Sequence, residues 1–507
     1  MFLLFTATNA QPYKIDYQVI SQIKDEAFNR SQVMQTLFNL TDVVGPRLSG
    51  STNLNKAQQW SMQQLKDWGM ENVNLEAWGG FGKGWEVQKS YIALTVPYYQ
   101  PMIAIPKAWT PGTNGLISGN AVIVKIETEQ DFDKYKGKLN GKIVIISSVL
   151  EVKLGLKPEA RRYTEEELKG IYKDKSLEEN PENKVVPNPE QQKKARALRQ
   201  KLGPFLIEEN AAAILSSRGG TMGTFFTTNG ASFATNAKSV LPELEMGSEH
   251  INQLIRLLEA GKEVKLEMEI KTAFLDKDTI QYNVIAEIPG TDKTLKSELI
   301  MIGAHLDSWH GATGATDNAA GSAVMMEVMR ILKAIDAKPR RTIRIALWSA
   351  EEQGLIGSRN YVKNHFADPE TMVLKPEHSK LSAYYNLDNG GGKIRGIYLQ
   401  GNDALRPLFE SWLEPFRDMD ATTVTTRNTG STDHIPFDKV GLPGFQFIQD
   451  PLDYGNKTHH TNMDTYDRIQ KADLMQAAAI IAAIVYNTAM LDEKLARKPL
   501  PKAKPKD

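Results

Sequence analysis

The spacing of apolar positions changes its period twice along this chain. Residues 30–69 carry apolar side chains at helical intervals. RSQVMQTLFNLTDVV runs to a break at Gly45-Pro46, and NLNKAQQWSMQQLKDWG runs to Gly69. NVNLEAW then alternates with the period of a strand, and residues 90–108 read as strand interrupted by proline. From about residue 110 short apolar runs dominate: NAVIVKI, GKIVIISS, AAAILSS and EVKLEMEI. Few helical stretches separate them, so 110–270 reads as a separate, mostly β module. Inside it, 151–200 is a charged tract rich in Lys, Glu and Pro, expected to be a surface insertion with one or two helices (EQQKKARALRQKL).

From about residue 281 strands and helices alternate strictly. QYNVIAEI, ELIMIGAHL, TIRIALWSA, SAYYNLD and GFQFIQ read as strands. AAGSAVMMEVMRILKAI, LIGSRNYVKNHF, ALRPLFESWLEPF and ADLMQAAAIIAAIVYNTAML read as helices. This grammar predicts an α/β fold: a three-layer sandwich with a mostly parallel central sheet. In such sheets ligands bind beyond the carboxyl ends of the strands. The last residues, 493–507, are Lys- and Pro-rich and are expected to be disordered.

A length of 507 residues implies more than one domain. The 61 basic and 61 acidic residues cancel, which argues against a nucleic-acid partner or a polybasic membrane contact. No cysteine is present, so any metal must be held by His, Asp or Glu. MFLLF followed by Thr8 and Ala10 resembles the remnant of a secretory signal, so 1–10 is set apart and the protein is expected to be secreted or periplasmic. No apolar stretch reaches the roughly 18 residues that a membrane span needs.

The chemistry gathers where strands end. His305, Asp307 and Asp317 follow ELIMIGA; Glu351 and Glu352 follow TIRIALWSA; Asp388 follows SAYYNL; His459, His460 and Asp464 follow GFQFIQ. Each cluster alone has an ordinary explanation, such as a helix cap for Asp307 or Asp317 or a solvated helix start for the paired Glu. Their convergence on one sheet edge is what suggests a metal site. Imidazole and carboxylate suit Zn²⁺. Two ions about 3.5–4 Å apart need a ligand with two donor atoms between them. Asp317 is the candidate bridge, with His305 and Asp388 completing one ion and Glu352 and His460 the other. Asp307 is placed to hold the second nitrogen of His305, and Glu351 to act as general base on a metal-bridging water. His250, His310, His365 and His378 are expected to be surface or loop residues.

GAHLDSWHGATGATDNAAGS, ALWSAEEQGLIGSRNYV, NLDNG and HHTNMDT resemble, in order and spacing, the co-catalytic zinc aminopeptidase family of zinc exopeptidases; VVGPRLSGS and GKGWE resemble its glutamate carboxypeptidase branch. The resemblance implies two zinc ions on His305, Asp317, Glu352, Asp388 and His460, with Glu351 as base. It also implies a cis peptide at Asp317-Asn318. The peptidase domain would be discontinuous, 25–110 and 275–492, and 110–270 would be an inserted protease-associated-like domain. The substrate would be a peptide or dipeptide cut at its N-terminal bond, by a monomer or homodimer. Some relatives place a Tyr before Ser/Thr-Asp-His; here Asn428-Thr429-Gly430-Ser431 precede Thr432-Asp433-His434. His434, Asn428 and His459 are therefore the candidates for oxyanion or substrate contact. STDHIPF resembles the single-zinc glutaminyl cyclases, the enzymatic alternative; an inactive receptor or scaffold is the alternative from another class.

Overall fold

A computed structural model describes residues 15–173 and 189–503. The stretch 1–10, read as a signal remnant, lies outside them, as do 504–507 of the tail. The architecture is mixed α/β with two eight-stranded sheets.

The first sheet holds the strands β1 (Glu71–Gly80), β2 (Ile280–Ile288), β3 (Leu299–His305), β4 (Thr342–Trp348), β5 (Leu381–Asn386), β6 (Ile394–Tyr398), β7 (Thr423–Thr425) and β8 (Gly444–Gln449). Their spatial order is β1-β2-β4-β3-β5-β8-β6-β7. The central strands β4, β3, β5 and β8 are mutually parallel. β1, β2 and β4 pair antiparallel, and so do β6 and β8. Every residue of β3, β5 and β8 is buried, which is why these segments read as continuous apolar runs rather than alternating ones. β6 and β7 were not foreseen. They are short, and β6 begins beside the glycines Gly390–Gly392, which mask any strand signal.

Helices cover both faces. α1 (Tyr17–Asn29), α2 (Thr52–Asp67), α3 (Ala320–Ala334) and α6 (Lys471–Met490) share a core with Ile300, Ile302 and Ala304 of β3. α4 (Ile356–His365) and α5 (His434–Lys439) pack with Leu299 and Met301 on the other face. α6 is long and apolar enough to cross a membrane, contrary to the expectation that no segment reaches that length. It is instead buried from Asp473 to Ala489 inside this core, Met475 alone being partly exposed.

β3 is followed through α3 by β4 on one side, and β4 is followed through α4 by β5 on the other. The winding therefore reverses at β3. That reversal splays the loops after β3, β4 and β5 and opens a crevice at their carboxyl ends.

The second sheet contains 84–96, 265–275, 117–123, 143–145, 213–216 and 243–246, with 100–101 and 104–106 at its edges. The strands between residues 84 and 106 thus belong to it, so sheet membership changes near residue 83, earlier than the change in sequence grammar. The cause is pairing at long range: 84–96 bonds along its length to 265–275. Among its described residues the charged tract contains two helices, Glu165–Tyr172 and Pro189–Glu208. Its 159–172 portion does not stand free but lies on the first sheet's side of the molecule: Arg162 donates to Asp450 and Asp473, and Thr425 donates to the Ile171 carbonyl. The expected disordered tail is likewise seated as far as Lys498. Leu495 is buried, Arg497 donates to the His378 and Leu381 carbonyls, and Lys498 pairs with Asp438.

Candidate active site

The crevice at the winding reversal is shaped first by backbone. After β3 the chain turns through Gly314, whose φ of +60° and close approach to Ser308 exclude a Cβ. Arg47, fully buried, holds this turn. Its guanidinium donates to the carbonyls of Leu306 (2.7 Å), Leu40 (2.7 Å), Thr313 (2.6 Å) and Gly314 (2.8 Å). Burial pushes its pKa down to about 10, opposed by the charges of Asp464, Asp307, Asp317 and Glu352. The peptide Asp317-Asn318 is cis.

Six strand-end residues from four loops meet there. His305 Nε2 lies 3.3 Å from Asp317 Oδ1, 3.4 Å from Asp388 Oδ1 and 4.0 Å from Glu351 Oε2. The other oxygen of Asp317, Oδ2, lies 3.2 Å from His460 Nε2, and His460 Nε2 lies 2.9 Å from Glu352 Oε2. Asp317 therefore faces one group with each oxygen. Two ligand-competent trios share it: His305–Asp317–Asp388 and Asp317–His459–His460. His459 reaches Asp317 Oδ2 at 3.9 Å and stacks on His460 with ring centroids 3.7 Å apart. It stands closer to the cluster than a polar loop residue would.

Asp307 differs in detail from the sequence expectation. Its backbone carbonyl, not its carboxylate, is the nearer partner of His305 Nδ1, at 3.0 Å against 3.7 Å. The carboxylate instead accepts the backbone N–H groups of Glu351 (3.2 Å) and Glu352 (3.3 Å) and the Ser49 hydroxyl (3.0 Å). It thus fixes the start of the Glu351-Glu352 pair. Asp464 does the same for the next loop, accepting Thr316 N–H at 2.7 Å and Asp317 N–H at 3.0 Å.

Two residues that sequence reasoning gave no role also face the cluster. Asp433 is fully buried; one oxygen accepts from Ser358 Oγ and the other has no donor. Burial pushes its pKa up to about 7. Tyr454 is half-buried beside Gly390, and desolvation, with the charges of Asp317, Asp388 and Glu352, raises its phenol well above the usual range. Neither follows a predicted strand directly, so no local pattern marked them. His434 is buried, with Nε2 against Gln400 and the Thr429 carbonyl, and burial lowers its pKa to about 4. Asn428 is exposed. Among the described residues, no hydrogen bond or ion pair joins either of these two to the cluster. His310 and His378, expected at surface or loop positions, are buried, with Nε2 of each on a carbonyl oxygen.

The electrostatics call for a cation. Seven carboxylates are enclosed here: Asp307, Asp317, Glu351, Glu352, Asp388, Asp433 and Asp464. Arg47 is the guanidinium whose charge acts on them, and its hydrogens are committed to carbonyls. Asp317 Oδ2 and Glu352 Oε1 are buried without a hydrogen-bond donor. Burial raises Glu351 well above its ordinary pKa, helped by Asp388, Asp433 and Glu352 and opposed by His305. Burial with Asp317 pushes Glu352 up to about 7. Burial opposes charge on His305 and His460, yet the carboxylates raise both, His460 to about 10. A group of acids that raises its histidines in this way is one in which protons and a divalent ion compete for the same donors.

The chain is similar to known proteins in sequence and in fold. Mouse carboxypeptidase Q is 26% identical over 503 residues, covering 95% of this chain and 94% of its own. The crystal structure of a peptidase M28 precursor from Shewanella amazonensis superposes with a TM-score of 0.67 at 25% identity, over 96% of this chain and 98% of that one. A zinc aminopeptidase from Bacillus subtilis shares the fold, with a TM-score of 0.55 at 20% identity over 90% and 93% of the two chains. Residues 283–485, the segment that supplies every strand end of the acidic cluster, match peptidase family M28. The family M28 match of that segment, together with the similarity to carboxypeptidase Q along nearly the whole chain, identifies a hydrolase of the metallo-exopeptidase kind.

Proposed function

We propose that this protein is a zinc-dependent exopeptidase that removes N-terminal residues from peptides or splits dipeptides, using two zinc ions and Glu351 as general base. The observation that carries the reading is the division of Asp317: one oxygen toward His305 and Asp388, the other toward His460 and Glu352. A carboxylate can serve two ions in this way and an imidazole cannot. Asp317, His305 and Asp388 would hold one ion; Asp317, Glu352 and His460 would hold the other. Glu352 is preferred to His459 as the third donor because its side chain is 2% exposed against 41%, and one of its oxygens lacks a partner. His459, on the open side, is the candidate for contact with substrate. The surplus of carboxylates suits a substrate that arrives with a free ammonium group.

When bound, the ions supply Lewis acidity, lowering the pKa of water and polarising the scissile carbonyl. Glu351 accepts the proton shed by the attacking water and returns it to the leaving amine, a cycle suited to a carboxylate whose pKa burial has raised. Asp307 keeps Glu351 aimed by holding its backbone N–H. We read the first sheet with its two helical faces as the three-layer sandwich of the family, and the second sheet as the inserted protease-associated-like module.

The test pairs metal content with turnover on aminoacyl amides, dipeptides and N-blocked peptides. Wild-type protein should hold two zinc ions, lose activity to a chelator and cleave only substrates with a free amine. Glu351→Gln should keep both ions and lose about 10²–10⁴-fold in kcat. Near-normal turnover by that variant would refute the base assignment. Ring closure of N-terminal Gln peptides by a one-ion protein would favour the cyclase alternative.

A further inference from the structure

We infer that Thr227, in the module built on the second sheet, is a positioning residue for His460, so that this module is a working part of the metal centre. The inference rests on the reading of His460 as a ligand.

The loop after β8, residues 450–465, carries His459, His460 and Asp464. Its only helical stretch is the single turn Tyr454–Thr458. His460 sits at φ +59°, in the left-handed region that a residue with a Cβ avoids unless its surroundings impose it. The second module supplies those surroundings. The N–H and the hydroxyl of Thr227 both donate to the His460 carbonyl, at 2.6 Å and 2.9 Å. One turn of chain away, Phe225 N–H donates to Asn462 Oδ1 at 2.9 Å, and Asn462 Nδ2 donates back to the Gly223 carbonyl at 3.0 Å.

The same loop is held at a second point. Lys457, buried, reaches Thr221 Oγ1 at 3.3 Å and Glu159 Oε1 at 3.0 Å. Both partners lie in the excursion between the two halves of the peptidase segment. At the loop's root, Arg162 donates to Asp450 at 2.9 Å. Thr227 also touches the loop on the other side of the crevice: a Cβ on Gly311 would come within 2.1 Å of its Cγ2. The residue is thus wedged between the loop carrying His460 and the loop that follows His305.

This arrangement has a consequence that a passive cover would not have. With the His460 carbonyl fixed at two points, the peptide plane after it is fixed, and with it the direction of the imidazole. Loosening Thr227 should disturb the ion held by His460 and leave the ion held by His305 and Asp388 largely intact. Partners that orient a ligand in this way typically change metal affinity 10–100-fold when removed.

The experiment measures zinc affinity on the full chain, stripped of metal and titrated against a chromophoric chelator. Thr227→Val deletes the hydroxyl and keeps the shape; Thr227→Ser keeps the hydroxyl. Thr227→Val is expected to weaken one ion about 10–100-fold and leave the other within about threefold. Thr227→Ser should hold both nearly as wild type does. Lys457→Met, which cuts the second tether and leaves the Thr227 bonds in place, should weaken the same ion. The metal-free melting temperature of each variant reports folding separately. The inference is overturned if Thr227→Val binds both ions as tightly as wild type, or if Thr227→Ser loses as much as Thr227→Val. Wild-type protein that binds a single ion would sink the two-ion reading instead; Thr227 would then stand or fall on whether its Val variant weakens that ion.

Discussion

Replacing Asp464 with Asn separates the ligands from the framework that aims them. Asp464 is 3% exposed, and each of its oxygens accepts one backbone N–H, from Thr316 at 2.7 Å and from Asp317 at 3.0 Å. Asn keeps the shape but offers one acceptor, and its NH2 meets the other N–H head-on. One charge-assisted hydrogen bond is lost, about 1.5–3 kcal/mol, and a buried donor is left unpaired, about 1 kcal/mol more. The fold should lose about 2.5–4 kcal/mol in denaturant unfolding of the metal-free protein. Because the two N–H groups lead into the Asp317 Cα, the shared carboxylate should shift, and both ions should bind about 10–100-fold more weakly. This distinguishes Asp464 from Thr227, whose loss should weaken one ion. Chelator competition reads both affinities on the same sample. Zinc binding within threefold of wild type, or a loss confined to one ion, would refute the reasoning.

Removing the shared ligand should be more severe. Asp317→Ala is expected to abolish both ions, whereas Asp388→Ala and Glu352→Ala should each spare one, as elemental analysis after dialysis would show; retention of one full ion by Asp317→Ala would exclude the bridge. Away from the crevice, His365 provides a pH test. Burial opposes its charge, but Glu377 (3.1 Å) and Glu76 (2.6 Å) raise its pKa to about 9. A folded pKa above the unfolded 6.5 contributes stability in full below pH 6.5, and that contribution fades as pH rises through 9. With screening at this partly exposed site, His365→Gln should cost about 1–2 kcal/mol at pH 6 and little at pH 10. An equal cost at both pH values would remove the ion pair from the explanation.

His305, Glu352, Asp388 and His460 were legible because each follows an apolar run long enough to announce a strand, and parallel strands deliver their ends to one edge. Asp317 was legible from the small residues around it. Arg47, Asp433, Tyr454 and Thr227 were not. Their contacts join segments separated by tens to hundreds of residues, and nothing in their own neighbourhoods is periodic. Asp307 shows the limit from the other side. Its proximity to His305 was predictable from a spacing of two residues, but which of its oxygens faces the ring depends on how the loop closes over Ser49 and Glu351. Which sheet residues 84–96 join was hidden for the same reason. Residues 84–96 look like any strand, and only their partner at 265–275 assigns them.

The buried helix Lys471–Met490 has a consequence for how the protein comes into being. It packs against Tyr17–Asn29 and Ala320–Ala334, so one of the first described helices closes on the last. A ribosome delivers this central piece only after every strand of the first sheet has already emerged. Until then the parts of Tyr17–Asn29, Ala320–Ala334 and Leu299–His305 that this helix covers stay open, and the growing polypeptide exposes a greasy surface to its surroundings. Any translation product ending before residue 471 would carry that exposed surface permanently, and chaperone capture or aggregation would be its fate.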